Sequence, residues 1–270
     1  MSASATFDPL QTTDRFYTMV KSLSAFDKME VRGVIETLLS TSGRERCFIG
    51  TYYRATANIE TLLEFKQPKH FQAIAMLARG LFELAVDIRL IDSVPDSLTK
   101  IMEFSDVEKL RCARKILRFK ADNPAAKVDT TIYSSFVANN ASRLDTVKKT
   151  LWGTAKSVPH WSGLKLHKRV ELLKSPFEEM YEVNYPQLSW YVHSGLTGIV
   201  NLRAETFTLL CGCAFKLAAD AYWEVLMTMI REFKIAKANE KIEGKLKAAK
   251  LLPFTDTPDE AEQLLTALAQ

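Results

Sequence analysis

Arg79, Glu83 and Asp87 stand four residues apart along the chain, and Tyr185, Ser189 and His193 repeat that spacing further on. On an α-helix such positions fall on one face. The residue types suit polar chemistry. Carboxylates can hold a guanidinium in a fixed direction, hydroxyls donate hydrogen bonds, and imidazole is the side chain whose charge ordinarily changes near neutral pH. If the two helices pack together, the two lines meet as one polar network across a cleft. Arg preceding Glu by four is the less favourable sense for an intrahelical pair, so local helix stabilisation is a poor sole reason for the first line. The competing readings are a slender solvent face for Arg79, Glu83 and Asp87, and a helix C-terminus stabilised by His193 ahead of Ser194 and Gly195.

These lines need helices to carry them, and the whole chain reads as helix. In 270 residues there are 10 Gly and 9 Pro, mostly between segments whose apolar residues recur at three and four. The pattern predicts helices over 13–23, 28–40, 44–66, 69–92, 97–120, 125–151, 164–174, 176–194, 201–238 and 257–268, and no strand. Ser175-Pro176-Phe177-Glu178 and Thr257-Pro258-Asp259-Glu260 read as capped helix starts. The helix over 69–92 is apolar around most of its circumference, which predicts burial on most sides.

Composition narrows the function classes. A hydrophobic fraction of 47% supports a substantial core. A net charge of +4 falls short of a dedicated nucleic-acid-binding domain. Two basic stretches are the electrostatic candidates for RNA, residues 109–120 and the lysine-rich 234–250, and the interleaved glutamates of the second favour a solvated helical extension. Cys211 and Cys213 lie two apart and would point away from each other on a helix, so Cys47, Cys112, Cys211 and Cys213 read as free thiols. No leader and no apolar run long enough to span a bilayer is evident, so a cytoplasmic chain without membrane partners is expected. The histidines lack metal-ligand spacing, and no Gly-rich phosphate loop or nucleophile elbow occurs, so neither a metal nor a cofactor is expected.

The ordered motifs ARGLFELAVDIRLI (78–91), HWSGLKLHKR (160–169) and YEVNYPQLSWYVHSG (181–195) resemble a bacterial all-helical family catalogued only as a domain of unknown function. Its marks are an Arg-x-x-x-Glu helix, a Trp-Ser-Gly turn and a Tyr-x-x-x-Ser-x-x-x-His helix. More remotely the family is similar to the HEPN superfamily of metal-independent ribonucleases and inactive binding modules. This resemblance implies an all-α, HEPN-like bundle over 44–235, with an N-terminal helical appendage (1–43) and a C-terminal lysine-rich extension and helix (236–270).

The HEPN ribonucleases place an arginine a few residues before the histidine, but the ten residues before His193 contain none. If chemistry persists, the resemblance implies His193 as acid or base, Arg79 as the cation on phosphate and Glu83 orienting Arg79. Tyr185, Ser189, Asp87 and Trp161 would then line the substrate or ligand site. RNA or a nucleotide, a second copy of the chain and an antitoxin-like protein are the partners implied, in a toxin or phage-defence setting. A non-catalytic module using the same cleft for a nucleotide, small ligand or protein is the alternative.

Overall fold

A computed structural model describes residues 8–38, 42–154, 157–192, 204–238, 240–255 and 258–269. All regular structure among these residues is helical. The elements are α1 (Pro9–Phe26), α2 (Arg32–Thr37), α3 (Gly43–Leu63), α4 (Phe71–Leu90), α5 (Ser97–Asp122), α6 (Thr131–Trp152), α7 (Leu166–Leu173), α8 (Phe177–Glu179), α9 (Tyr185–Val192), α10 (Ala204–Glu232), α11 (Ile235–Ala238), α12 (Ile242–Leu251) and α13 (Pro258–Ala269). Two compact units result, residues 1–89 with 170–270, and residues 90–169.

Helix α10 is the axis of the first unit, buried along most of its length, and α1 packs beside it with α3. The α1 helix starts four residues before the sequence pattern predicts. Asp8 caps it by accepting from the Leu10 and Gln11 amides, and Pro9 supplies a preset φ at the first position. Met19, Val20 and Leu23 of α1 are buried, so this N-terminal helix shares the core. Close approach to α10 comes at Gly212, where a Cβ would lie 2.8 Å from Thr13 Oγ1. The Thr13 hydroxyl donates to the Thr208 carbonyl across the same contact at 2.8 Å.

A π-helical turn, Asp27–Val31, joins α1 directly to α2 where the pattern predicts a break before residue 28, and a second, Met180–Asn184, interrupts the predicted helix 176–194 between α8 and α9. A π turn adds a residue to the helical repeat and shifts every later side chain around the axis. The predicted Ser175 cap is not formed. The Ser175–Pro176 peptide is cis, Pro176 occupies the cap position, and no side chain caps α8. Helix α13 begins at Pro258, but Thr257 lies outside the described residues. The predicted helix 201–238 breaks where Lys234 takes φ 56°, separating α10 from α11.

The lysine-rich stretch is not a solvated extension. Helix α12 buries Ile242, Leu246, Ala248 and Ala249 and packs against α1. Lys245, only 8% exposed, pairs with Glu30 at 2.7 Å. Lys250 pairs with Asp220 at 2.7 Å and sits over the Trp223 ring.

In the second unit α5 and α6 form an antiparallel hairpin around Val107, Leu110 and Leu144, flanked by Phe136, Val137 and Trp152. Helix α6 starts at Thr131, later than the pattern predicts. The connection before it is fixed by Lys120 Nζ, which donates to the Pro124 and Ala126 carbonyls, and by Asp129, which accepts from the Thr131 amide. No described helix is long and apolar enough to cross a membrane.

Candidate functional site

Helix α4 buries Ile74, Ala75, Ala78, Leu81, Phe82 and Ala85, while Arg79, Glu83 and Asp87 remain half-buried in a narrow polar seam. Helix α9 carries Tyr185 to this seam. Arg79 Nη2 donates to the Tyr185 hydroxyl at 3.0 Å, and that hydroxyl donates to Glu83 Oε1 at 2.8 Å. The Arg79 guanidinium also lies over the Tyr185 ring, 4.8 Å from its centre, in cation–π geometry. Tyr185 therefore stands between cation and carboxylate as a neutral bridge. Glu83 orients Arg79 through the phenol, without a direct ion pair.

The phenol is held rigidly. Its ring packs 5.3 Å from Phe82 and stacks on Tyr181 at 5.4 Å, and Phe177 packs 6.4 Å from Phe82 in turn. Tyr185 is 8% exposed, and burial pushes its hydroxyl above the usual tyrosine range, against the opposing pull of Arg79. It is a hydrogen-bond donor at neutral pH, not a general base. The Met180–Asn184 π turn immediately precedes it, so the placement of Tyr185 depends on a local rewinding of the helix.

Arg79 forms no ion pair with a carboxylate among the described residues, and its buried Nε finds no hydrogen-bond partner. One of its five N–H donors is engaged, by Tyr185. A half-buried guanidinium with this spare capacity is suited to an anion.

The other members of the two expected lines behave differently. Ser189 donates back to the Tyr185 carbonyl at 3.0 Å, four residues earlier on its own helix, and so does not join the bridge. Asp87 is half-buried one turn beyond Glu83 and is not a partner of Arg79. His193 lies outside the described residues. Trp161 belongs to the second unit, where its carbonyl accepts from Trp152 Nε1 at 2.7 Å and its ring lies beside His160.

That Trp-Ser-Gly turn holds a His–Ser pair within hydrogen-bond distance. Arg169 Nη1 approaches His160 Nε2 at 3.1 Å. The Ser162 amide donates to His160 Nδ1 at 3.2 Å, the Ser162 hydroxyl lies 2.9 Å from the same nitrogen, and the Leu164 amide donates to Ser162 Oγ at 3.2 Å. The cluster locks the turn.

A second buried network escaped the sequence reading. Asp27, fully buried in the first π turn, accepts from the Tyr52 hydroxyl and from Arg32 Nη2 at 3.0 Å, while Arg32 Nη1 reaches Glu60 at 2.8 Å. Nothing along the chain marked Asp27, which stands between Phe26 and Lys28 in an ordinary mixed stretch. Among the described residues no group of three His, Cys, Asp or Glu is placed to hold a metal ion.

No curated protein and no solved structure matches the chain. A family model does match, over residues 46–206, a span containing Arg79, Glu83, the Trp-Ser-Gly turn and Tyr185. The chain belongs to that family, DUF5677, a family of unknown function.

Proposed function

We propose that this protein is a helical module that binds a phosphate-bearing ligand, a nucleotide or RNA, with Arg79 as the recognising cation. The observation that carries the reading is the half-buried Arg79 guanidinium, aimed by Tyr185 and Glu83 yet unpaired with any described carboxylate. Arginine is suited to phosphate because its planar fork matches two oxygens at once. Binding needs only the aimed cation, whereas catalysis needs a proton-transfer group as well, so binding is the reading this arrangement supports best.

A second reading, a metal-independent HEPN-like ribonuclease of a bacterial toxin or defence system, is favoured by one observation. Arg79 stands against α9, the helix that His193 directly follows in sequence, and so could supply the cation missing ahead of that histidine. In this reading His193 is acid or base and the helical core is HEPN-like.

Fluorescence anisotropy with a short labelled single-stranded RNA, beside thermal shifts with a nucleotide panel, tests both. Arg79→Ala should abolish binding or weaken it at least about tenfold, with Arg79→Lys in between. Equal binding by wild type and Arg79→Ala would overturn the proposal. RNA turnover that is lost in His193→Ala would establish the ribonuclease reading, and intact RNA with retained binding the module.

A further inference from the structure

We propose that the α5–α6 hairpin of the second unit binds a phosphate monoester of mononucleotide size, at a site separate from Arg79. Arg111, Arg114, Lys115 and Arg118 step along one face of α5 at intervals of three and four. They line a cavity of about 280 Å³ together with Asp145 and Lys148 of α6. Five cations face two carboxylates in this lining, and the floor beneath them is formed by the buried Val107, Leu110 and Leu144.

The cations are not equivalent. Glu108 holds Arg111 at 2.6 Å, and Asp145 holds both terminal nitrogens of Arg114 at 2.8 and 2.7 Å, so these guanidiniums are fixed in direction but already neutralised. Arg118 has only a loose approach to Asp122 at 3.7 Å, and the exposed Lys115 enters none of the ion pairs among the described residues. The uncompensated charge therefore collects at Lys115 and Arg118, at the rim of an apolar floor. A phosphate meets the rim, and an apolar ring covers the floor. The volume lies near the low end of the roughly 300–1,000 Å³ common for ligand sites, which favours a mononucleotide over a larger cofactor.

Isothermal titration of the full chain at fixed ionic strength, with adenosine 5′-monophosphate as probe, tests the site. The nucleotide should bind, with adenosine and inorganic phosphate each at least about tenfold weaker. The Lys115→Ala/Arg118→Ala double variant, altered only at exposed side chains, should weaken the nucleotide at least about tenfold with an unchanged melting temperature. Arg79→Ala should leave this affinity within about twofold, which separates the site from the one proposed above. The proposal is overturned if the nucleotide shows no saturable binding, or if the double variant binds it as well as wild type. Tighter capture of single-stranded RNA than of the nucleotide through the same two residues would overturn it as well.

Discussion

Arg79 meets Tyr185 twice, through a hydrogen bond from Nη2 to the hydroxyl at 3.0 Å and through the guanidinium over the ring at 4.8 Å. The two contacts fix the cation in direction while the hydroxyl donates its own hydrogen bond to Glu83. Tyr185→Phe keeps the ring against Phe82 but leaves Glu83 and Arg79 without their bridge. A loss of about 1–3 kcal/mol in urea unfolding is expected, the usual cost of stranding half-buried polar partners. A phenylalanine variant as stable as wild type would show the bridge to be energetically idle.

Asp27 is fully buried and depends on Tyr52 and Arg32 for compensation. Asp27→Ala leaves Arg32 partly unpaired and should cost about 3–5 kcal/mol, whereas Tyr52→Phe should cost about 1–2 kcal/mol. Because the groups act as one network, the Asp27→Ala/Arg32→Leu double variant should lose less than the sum of its single changes. Strict additivity in the same unfolding measurements would contradict this.

At the α1–α10 contact the obstruction is one atom. A Cβ at Gly212 meets Thr13 Oγ1 at 2.8 Å, so Gly212→Ala forces that hydroxyl away from the Thr208 carbonyl. A destabilisation of about 1–3 kcal/mol is expected, as for other overpacked sites. Thr13→Ala in the Gly212→Ala background should recover part of the melting temperature, and no recovery would place the strain elsewhere.

Arg114 holds the Asp145 carboxyl below the usual carboxylate range. A carboxyl depressed in the folded state stabilises at pH values above its unfolded pKa, and the gain is lost as pH falls through the folded value. Asp145 is about half exposed, with a side-chain accessibility of 51%, so the gain at neutral pH is under about 1 kcal/mol. The stability gap between wild type and Asp145→Asn should be present at pH 7 and close toward pH 3. A gap that widens with acid would reverse the assigned sign.

The thiols should separate by burial. Burial pushes the fully enclosed Cys211 up to about 12 and also raises Cys213, while Cys112 is exposed. Since the thiolate is the reactive form, a disulfide reagent at pH 8 should modify Cys112 rapidly and Cys211 only after unfolding. Cys112→Ser should remove the fast phase, and a persisting fast phase would place an accessible thiolate elsewhere.

The order of residues alone establishes that the chain is helical, where α3, α4 and α5 run within a few residues, and that α4 is buried around a thin polar seam. Those properties are local, because a period of 3.6 in apolar residues and the breaks at Pro and Gly are written along the chain. It also indicated that Arg79, Glu83 and Tyr185 belong to lines that could meet. How they meet depends on packing in space. Same-face spacing says nothing about partners, so the direct Arg79–Glu83 pair suggested by the sequence became a bridge through Tyr185, and Ser189 turned back to its own helix.

The π turns at 27–31 and 180–184 were likewise illegible, because the extra residue in each is stabilised by surrounding packing and leaves no periodic signature. The lysines teach the same lesson. Lys245 and Lys250 look solvated among their neighbours in sequence, and only the fold brings Glu30 and Asp220 against them. A charge pattern along the chain specifies which ions are available, but burial and distance in space decide which of them are paired.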